Sequence, residues 1–166
     1  MSISVLMSIY RAEKPDYLIM SLHSIINQTM YVSEIIIVED GPLTIELYSI
    51  LDEFESKYPI IRRLSLSENH GLGFALSEGL KLCSNELVAR MDTDDICKPN
   101  RFEVQVEFME KNYEVDVLGT WIDEFFNVKE NIVSIRKVPE GSKGLYEFGK
   151  KRNLMNHPTV MFRNSS

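Results

Sequence analysis

Hydrophobic positions along this chain alternate between two spacings. Ile3 to Ser8 is a short apolar run that reads as a strand. Pro15 opens a helix in which Leu18, Ile19, Leu22, Ile25 and Ile26 share one face at the 3.6-residue period. Glu34 to Glu39 contains the unbroken run Ile35-Ile36-Ile37-Val38, which suits a parallel strand covered on both faces. A helix follows from Leu43 to Ser56, ended by Pro59, and Ile60 to Leu66 is a third strand. Gly71 to Leu82 reads as a helix with Leu72, Ala75, Leu76, Gly79 and Leu80 on its inner side, and Glu86 to Met91 as a fourth strand. This β-α-β-α-β-α-β order predicts a parallel sheet with right-handed crossovers and helices on both faces.

Beyond Pro99 the pattern predicts a helix to Asn112 with Phe102, Val106 and Met109 inward. Val115 to Gly119 reads as a strand. Trp121 to Phe126 and Ile132 to Val138 form a hairpin or meander, Gly144 to Lys151 a helix, and Pro158 to Phe162 a short strand. No repeat, low-complexity tract or linker interrupts residues 1–166, so a single domain is expected.

The chain has 166 residues, enough for one domain with its own core, and its apolar fraction of 44% is ordinary for a globular protein. A net charge of −7 disfavours a nucleic-acid partner, which calls for a basic face. It leaves a phosphate-bearing substrate open if a metal screens the charge. Cys83 and Cys97 alone make neither a disulfide framework nor a zinc site, so a reducing, cytoplasmic setting is expected. No apolar run has the length of a transmembrane span, and Met1-Ser2-Ile3-Ser4 lacks a signal peptide's basic start. Asn164-Ser165-Ser166 matches a glycosylation sequon, which is without meaning in the cytosol.

In open parallel sheets, ligands bind outside the carboxyl ends of the strands. The polar residues predicted there are Ser8 and Tyr10 after strand one, Asp40 after strand two, and Asn69, His70 and Gly73 after strand three. Arg90, Asp92, Asp94 and Asp95 follow strand four. Three carboxylates within four positions repel one another, and each then favours protonation. A hard divalent cation removes that penalty, because Mg²⁺ takes one or two carboxylates and fills its shell with phosphates and water. Each ending also has a bland alternative. Asp40-Gly41-Pro42 alone reads as a turn and helix cap. Asn69-His70-Gly71 is also a turn that starts a helix, Gly73 a site of close helix–strand packing, and Tyr10 a rim aromatic. The aspartates alone would be a solvated turn. Four such endings on one sheet edge favour a ligand site.

With these motifs in order, the chain resembles the family 2 glycosyltransferases, nucleotide-sugar-dependent enzymes of the GT-A fold. The resemblance rests on Val5-Leu6-Met7-Ser8-Ile9-Tyr10, Ile36-Ile37-Val38-Glu39-Asp40-Gly41, Asn69-His70-Gly71-Leu72-Gly73, Met91-Asp92-Thr93-Asp94-Asp95 and Asn156-His157-Pro158-Thr159-Val160-Met161-Phe162-Arg163. It covers essentially the whole chain and implies an α/β fold of the GT-A, Rossmann-like type, a three-layer α/β/α sandwich with a mostly parallel sheet. Ala89 to Asp95 looks most like bacterial enzymes that build O-antigen, capsule or exopolysaccharide, several of them galactosyltransferases.

The resemblance implies that Asp40 accepts a hydrogen bond from uracil and that the Ser8–Tyr10 backbone borders the base. Asn69 and Gly73 would belong to the nucleotide-sugar site. Asp92 would face the ribose and the metal's water shell, Asp94 would ligate Mn²⁺ or Mg²⁺, and Asp95 would help hold the sugar or that shell. The donor would be a UDP-sugar such as UDP-galactose. The acceptor would be a saccharide or lipid-linked oligosaccharide, reached in the cytoplasm or at the inner face of the cytoplasmic membrane with at most peripheral association. Inversion at the anomeric carbon would follow.

The sequence also departs from the family's pattern. Many relatives carry an Arg where Leu76 stands, and Leu76 fits the apolar helix face. Arg90 either supplies the missing cation near the diphosphate or is a surface Arg paired with an adjacent aspartate. The family's general base lies downstream of the His-Pro segment, so the chain is expected to be a catalytic domain truncated before it. Asp123 and Glu124 are paired carboxylates read as solvent-facing. His157 matches an acceptor-side position and is equally a structural strand-edge residue. Nucleotidyl transfer is disfavoured because Tyr10-Arg11-Ala12-Glu13-Lys14 has no glycine. A non-catalytic nucleotide-sugar-binding fragment stays as the second alternative. A receiver domain is disfavoured, since the Asn69–Gly73 segment has no place in that plan.

Overall fold

A computed structural model describes residues 2–126 and 129–164. Ser165 and Ser166, and with them most of the sequon, lie outside the described residues. The first half alternates as expected: β1 (Ile3–Ile9), α1 (Pro15–Ile26), β2 (Glu34–Glu39), α2 (Ile45–Lys57), β3 (Ile61–Ser65), α3 (Leu72–Leu80) and β4 (Leu87–Arg90). Then come α4 (Arg101–Lys111), β5 (Val117–Leu118), β6 (Ile122–Phe125), β7 (Ile132–Arg136), α5 (Gly141–Gly149) and β8 (Met161–Arg163). The main sheet runs β3-β2-β1-β4-β8-β5, with β6 and β7 as a separate hairpin. β1 to β4 are mutually parallel, while β8 runs antiparallel to both β4 and β5.

Strand side chains alternate between two cores, as a period of two requires. Val5, Met7, Ile35, Ile37 and Ala89 face one layer, where Leu18 and Leu22 of α1, Leu47 and Leu51 of α2, and Phe102 and Val106 of α4 pack. Leu6, Ile36, Val38 and Val88 face the other, where α3 contributes Ala75 with Leu76 and Leu80. The sheet is therefore sandwiched, and the Ile35–Val38 run is apolar throughout because both of its faces are covered.

The chain first extends the sheet leftward through β2 and β3, then crosses to the other side of β1 to lay down β4. The crevice between the carboxyl ends of β1 and β4 is thus a topological switch point.

Three expectations are corrected. Gly79, not Gly73, permits the close helix–strand approach. A Cβ at Gly79 would sit 2.5 Å from Val38 Cγ2 and 2.6 Å from Leu6 Cδ1, whereas one at Gly73 meets nothing within 4 Å. Leu72 is 45% exposed rather than inward. It is the first residue of α3, just past Gly71, whose N–H is held by Asp40 at the end of β2. The segment expected as a strand from Pro158 instead begins with a 3₁₀ turn, His157–Thr159, and only Met161–Arg163 joins the sheet. Pro158 has no N–H to give a ladder, and the Thr159 hydroxyl is spent on Asn156 O at 2.8 Å.

Candidate functional site at the carboxyl edge of the sheet

β2 delivers two acidic residues with different duties. Glu39 is buried and tied to Arg63 Nε at 2.5 Å and Ser65 Oγ at 2.6 Å, so it locks β3 to β2. Asp40, also buried, turns the other way. Its carboxylate accepts the N–H of His70 at 2.8 Å and of Gly71 at 3.0 Å, and its carbonyl accepts Asn69 Nδ2 at 3.1 Å. Gly41 follows at φ +85°, and a Cβ there would meet Asn69 N at 2.7 Å, so the turn requires glycine. Asp40 and Asn69, expected at the site from separate strands, are thus brought together. Gly73 lies in the first turn of α3 with open space beside it.

β1 pairs Leu6 with Arg90 of β4, and on its other edge Ser8 with Val38 of β2. Tyr10 is 49% exposed at the rim. The loop after it supplies a residue that the sequence reading missed. Glu13 accepts a hydrogen bond from the Thr93 hydroxyl, which joins the β1–α1 loop to the aspartate loop. Ser21 of α1 donates to Asp92 O at 2.9 Å, and Arg101 of α4 donates to Arg90 O at 2.8 Å. No periodicity marks Glu13 or Thr93. Only their nearness in space reveals them.

Asp92, Asp94 and Asp95 can each offer an oxygen within 4.8 Å of the others. Among the described residues this is the group of His, Cys, Asp or Glu able to surround an ion. The donor set is hard oxygen throughout, which fits Mg²⁺ or Mn²⁺ rather than a thiophilic metal. Without a cation the cluster is electrostatically uncomfortable. Burial, then the charges of Asp92 and Asp94, push the Asp95 carboxyl up to about 6. Burial, then Glu13 and Asp92, push Asp94 upward too.

Arg90 is not a surface residue. It is 3% exposed and donates from Nη2 to Asp92 Oδ1, while its charge opposes the shifts of Asp94 and Asp95. The pairing anticipated in the bland alternative is present, but it is made from beneath the loop. His157 stands on the 3₁₀ turn beside β4. Partial burial first, then Arg90, hold its pKa below the usual imidazole value, with Asp92 opposing. It therefore lies within electrostatic reach of the aspartate loop. Asp123 and Glu124 are elsewhere on the hairpin. Asp123 is taken by Lys98 Nζ at 2.5 Å, and Glu124 by Arg136 and Ser134.

The chain resembles known proteins in sequence and in fold. A family model described as glycosyl transferase family 2 matches residues 4–166. An uncharacterized glycosyltransferase of Haemophilus influenzae is 43% identical over 166 residues, covering 100% of this chain and 62% of that protein. The UDP-Gal:alpha-D-GlcNAc-diphosphoundecaprenol beta-1,3-galactosyltransferase of Escherichia coli is 42% identical over 161 residues, covering 96% of this chain and 58% of that one. The chain therefore spans about three fifths of the length of these curated relatives. Among solved structures, S. aureus TarS 1-349 in complex with UDP-GlcNAc superposes with a TM-score of 0.73 at 22% identity, covering 98% of this chain and 45% of that one. Mannosyltransferase PcManGT from Pyrobaculum calidifontis, in complex with GDP-Man and Mn²⁺, gives 0.69 at 13% identity, covering 97% and 44%.

Proposed function

Because this chain belongs to glycosyl transferase family 2, we propose that it binds a UDP-sugar across the β1/β4 switch point and passes the sugar to a saccharide acceptor. The observation that supports this most is the convergence of Asp92, Asp94 and Asp95 at the crevice where α/β sheets take nucleotides. Galactose is the donor sugar we favour, because the Escherichia coli relative is named for UDP-Gal. That relative's name also motivates a lipid-linked saccharide acceptor. Relatives named for amylovoran and O-antigen biosynthesis motivate a role in cell-surface polysaccharide assembly, which we place at the inner face of the cytoplasmic membrane.

The residues divide the work. Asp94, with Asp92, would hold Mn²⁺ or Mg²⁺, and Asp95 would complete the shell or meet the sugar. A bound divalent cation supplies charge neutralisation for the departing diphosphate. Asp40 has its carboxylate aimed by the His70 and Gly71 amides, leaving lone pairs free to accept the uracil N–H. Ser8 and Tyr10 would border the base, with the exposed Tyr10 ring as a stacking face. Asn69 fixes the turn under the nucleotide, and Gly73 leaves room for it. Arg90 contributes positive charge from below. His157, whose pKa partial burial and Arg90 hold below the usual imidazole value, would face the acceptor side.

Transfer would be a direct displacement. The acceptor hydroxyl oxygen forms its bond to the anomeric carbon as the bond to the diphosphate oxygen breaks, inverting the centre, and the hydroxyl proton passes to a base. We assign no base among the described residues, since Asp123 and Glu124 are engaged by cations.

Titration calorimetry tests the donor reading. UDP should bind in Mn²⁺ or Mg²⁺, fail to bind in chelator, and fail to bind to Asp94→Ala. Equal binding without metal would overturn it. A thermal-shift screen of nucleotide sugars then ranks the donors, since a ligand of the folded state raises the melting temperature with occupancy.

A further inference from the structure

We propose that the β6–β7 hairpin and α5 form a docking surface for anionic phospholipid headgroups. This rests on the lipid-linked acceptor proposed above for its purpose, but not for its evidence.

The lobe is unusual in its exposure. Every residue of β7 is exposed, including Ile132, Val133 and Ile135, and α5 buries none of its residues. Trp121, Phe126 and Tyr146 add exposed aromatic rings to the same stretch. Its charge is also opposite to that of the rest of the protein. Residues 121–152, which span the lobe, hold seven Lys or Arg against five Asp or Glu, a net +2 within a chain of −7. One of those acids, Glu147, is already engaged by Lys150 at 2.7 Å. Lys137 lies over the Trp121 ring at 4.6 Å.

Apolar side chains with amphipathic rings and lysines around them are what the interfacial zone of a bilayer accepts. Rings settle at headgroup level, aliphatic tips enter the acyl boundary, and cations meet lipid phosphates. A nucleic acid would use the charge and the rings but leave three β-branched aliphatics unmatched. Among the described residues no helix is long and apolar enough to cross a membrane.

The lobe is joined to the acceptor side of the site. Asp123 of β6 pairs with Lys98, three residues beyond Asp95. Asn156, next to His157, donates to Thr120 O at 2.9 Å and Arg136 O at 3.4 Å. A bilayer under the hairpin would therefore lie beside the edge where a lipid-linked saccharide must arrive.

Trp121 is the chain's single tryptophan and is 43% exposed, so its fluorescence reports on the lobe alone. With phosphatidylglycerol vesicles at low salt, its emission should shift to the blue and the protein should co-sediment. Both effects should fall at least tenfold in about 0.5 M salt and be missing with phosphatidylcholine vesicles. The triple variant Lys143→Glu, Lys151→Glu, Arg152→Glu should lose vesicle binding yet keep metal-dependent UDP binding. A Val133→Ser, Ile135→Ser variant should keep loose sedimentation and lose the blue shift. Three results would overturn the proposal: no binding to phosphatidylglycerol, equal binding to phosphatidylcholine, or a lipid-free dimer that removes Trp121 from solvent. UDP calorimetry is read separately, so a failure of the donor reading would remain distinguishable.

Discussion

Arg90 donates from Nη2 to Oδ1 of Asp92 two positions along, while its buried Nε and Nη1 meet no acceptor among the described residues. A cation beneath a metal loop acts in two directions. It repels a bare divalent ion and occupies one Asp92 oxygen, yet it attracts a diphosphate. Arg90→Met should therefore tighten Mn²⁺ binding measured alone at pH 8, roughly three- to fivefold, and weaken UDP binding at saturating Mn²⁺ by a similar factor. Unchanged UDP affinity would reduce Arg90 to a strut for the loop.

Asp95 links metal affinity to fold stability. Its folded pKa, about 6, lies above its ordinary value of 3.8. The neutral carboxyl is thus well accommodated below about pH 4, and its stability contribution is lost as pH rises through 6. In chelator at pH 8, Asp95→Asn should melt higher than the parent by about 1–2 kcal/mol of stability, after allowance for solvent screening. The gap should close below pH 4, and added Mn²⁺ should reverse the order. Melting curves across that range decide it.

Two glycines of α3 should respond oppositely to alanine. Gly79→Ala drives a methyl into Val38 and Leu6 and should destabilise by about 1–3 kcal/mol in urea unfolding. Gly73→Ala meets open space and should be neutral or stabilising by up to about 1 kcal/mol. If the gap beside Gly73 receives the nucleotide, the same variant should weaken UDP binding without any loss of stability.

At the far end of the sheet, Glu34 is held by the Ser4 hydroxyl at 2.5 Å, Ser84 N–H at 2.6 Å and Arg62 at 3.4 Å. Burial works to raise its pKa, but these partners together bring it below the usual carboxylate value. A lowered folded pKa stabilises above the unfolded value and is lost as pH falls through the folded one. Stability of the parent should therefore drop more steeply on acidification below about pH 4.5 than that of Glu34→Gln. Parallel acid-titration slopes would show that the cluster carries no such linkage.

Local pattern made much of the fold legible. The Ile35–Val38 run announces a strand covered on both faces, and the spacing of Leu18, Leu22 and Ile25 announces α1. Both depend on neighbours in sequence. The apolar run Pro158–Phe162 announces a strand only in part, and the insertion of β8 between β4 and β5 depends on partners far along the chain, which no periodicity encodes. The same division holds at the site. Asp92, Asp94 and Asp95 stand out because they are adjacent, and Asp40 because a Gly-Pro turn follows it. Glu13 was invisible because its link to Thr93 closes only in the folded protein. Arg90 was ambiguous because depth beneath a loop leaves no trace in residue order.

The placement of β8 also bears on the order of events during synthesis. β1 to β4 and their crossovers emerge first and can pair among themselves, but Arg90 N–H finds its acceptor only when Val160 has left the ribosome. The strand that leads into the aspartate loop thus keeps an unpaired edge through much of translation. Nascent chains halted before residue 160 should be the ones that chaperones retain or that aggregate.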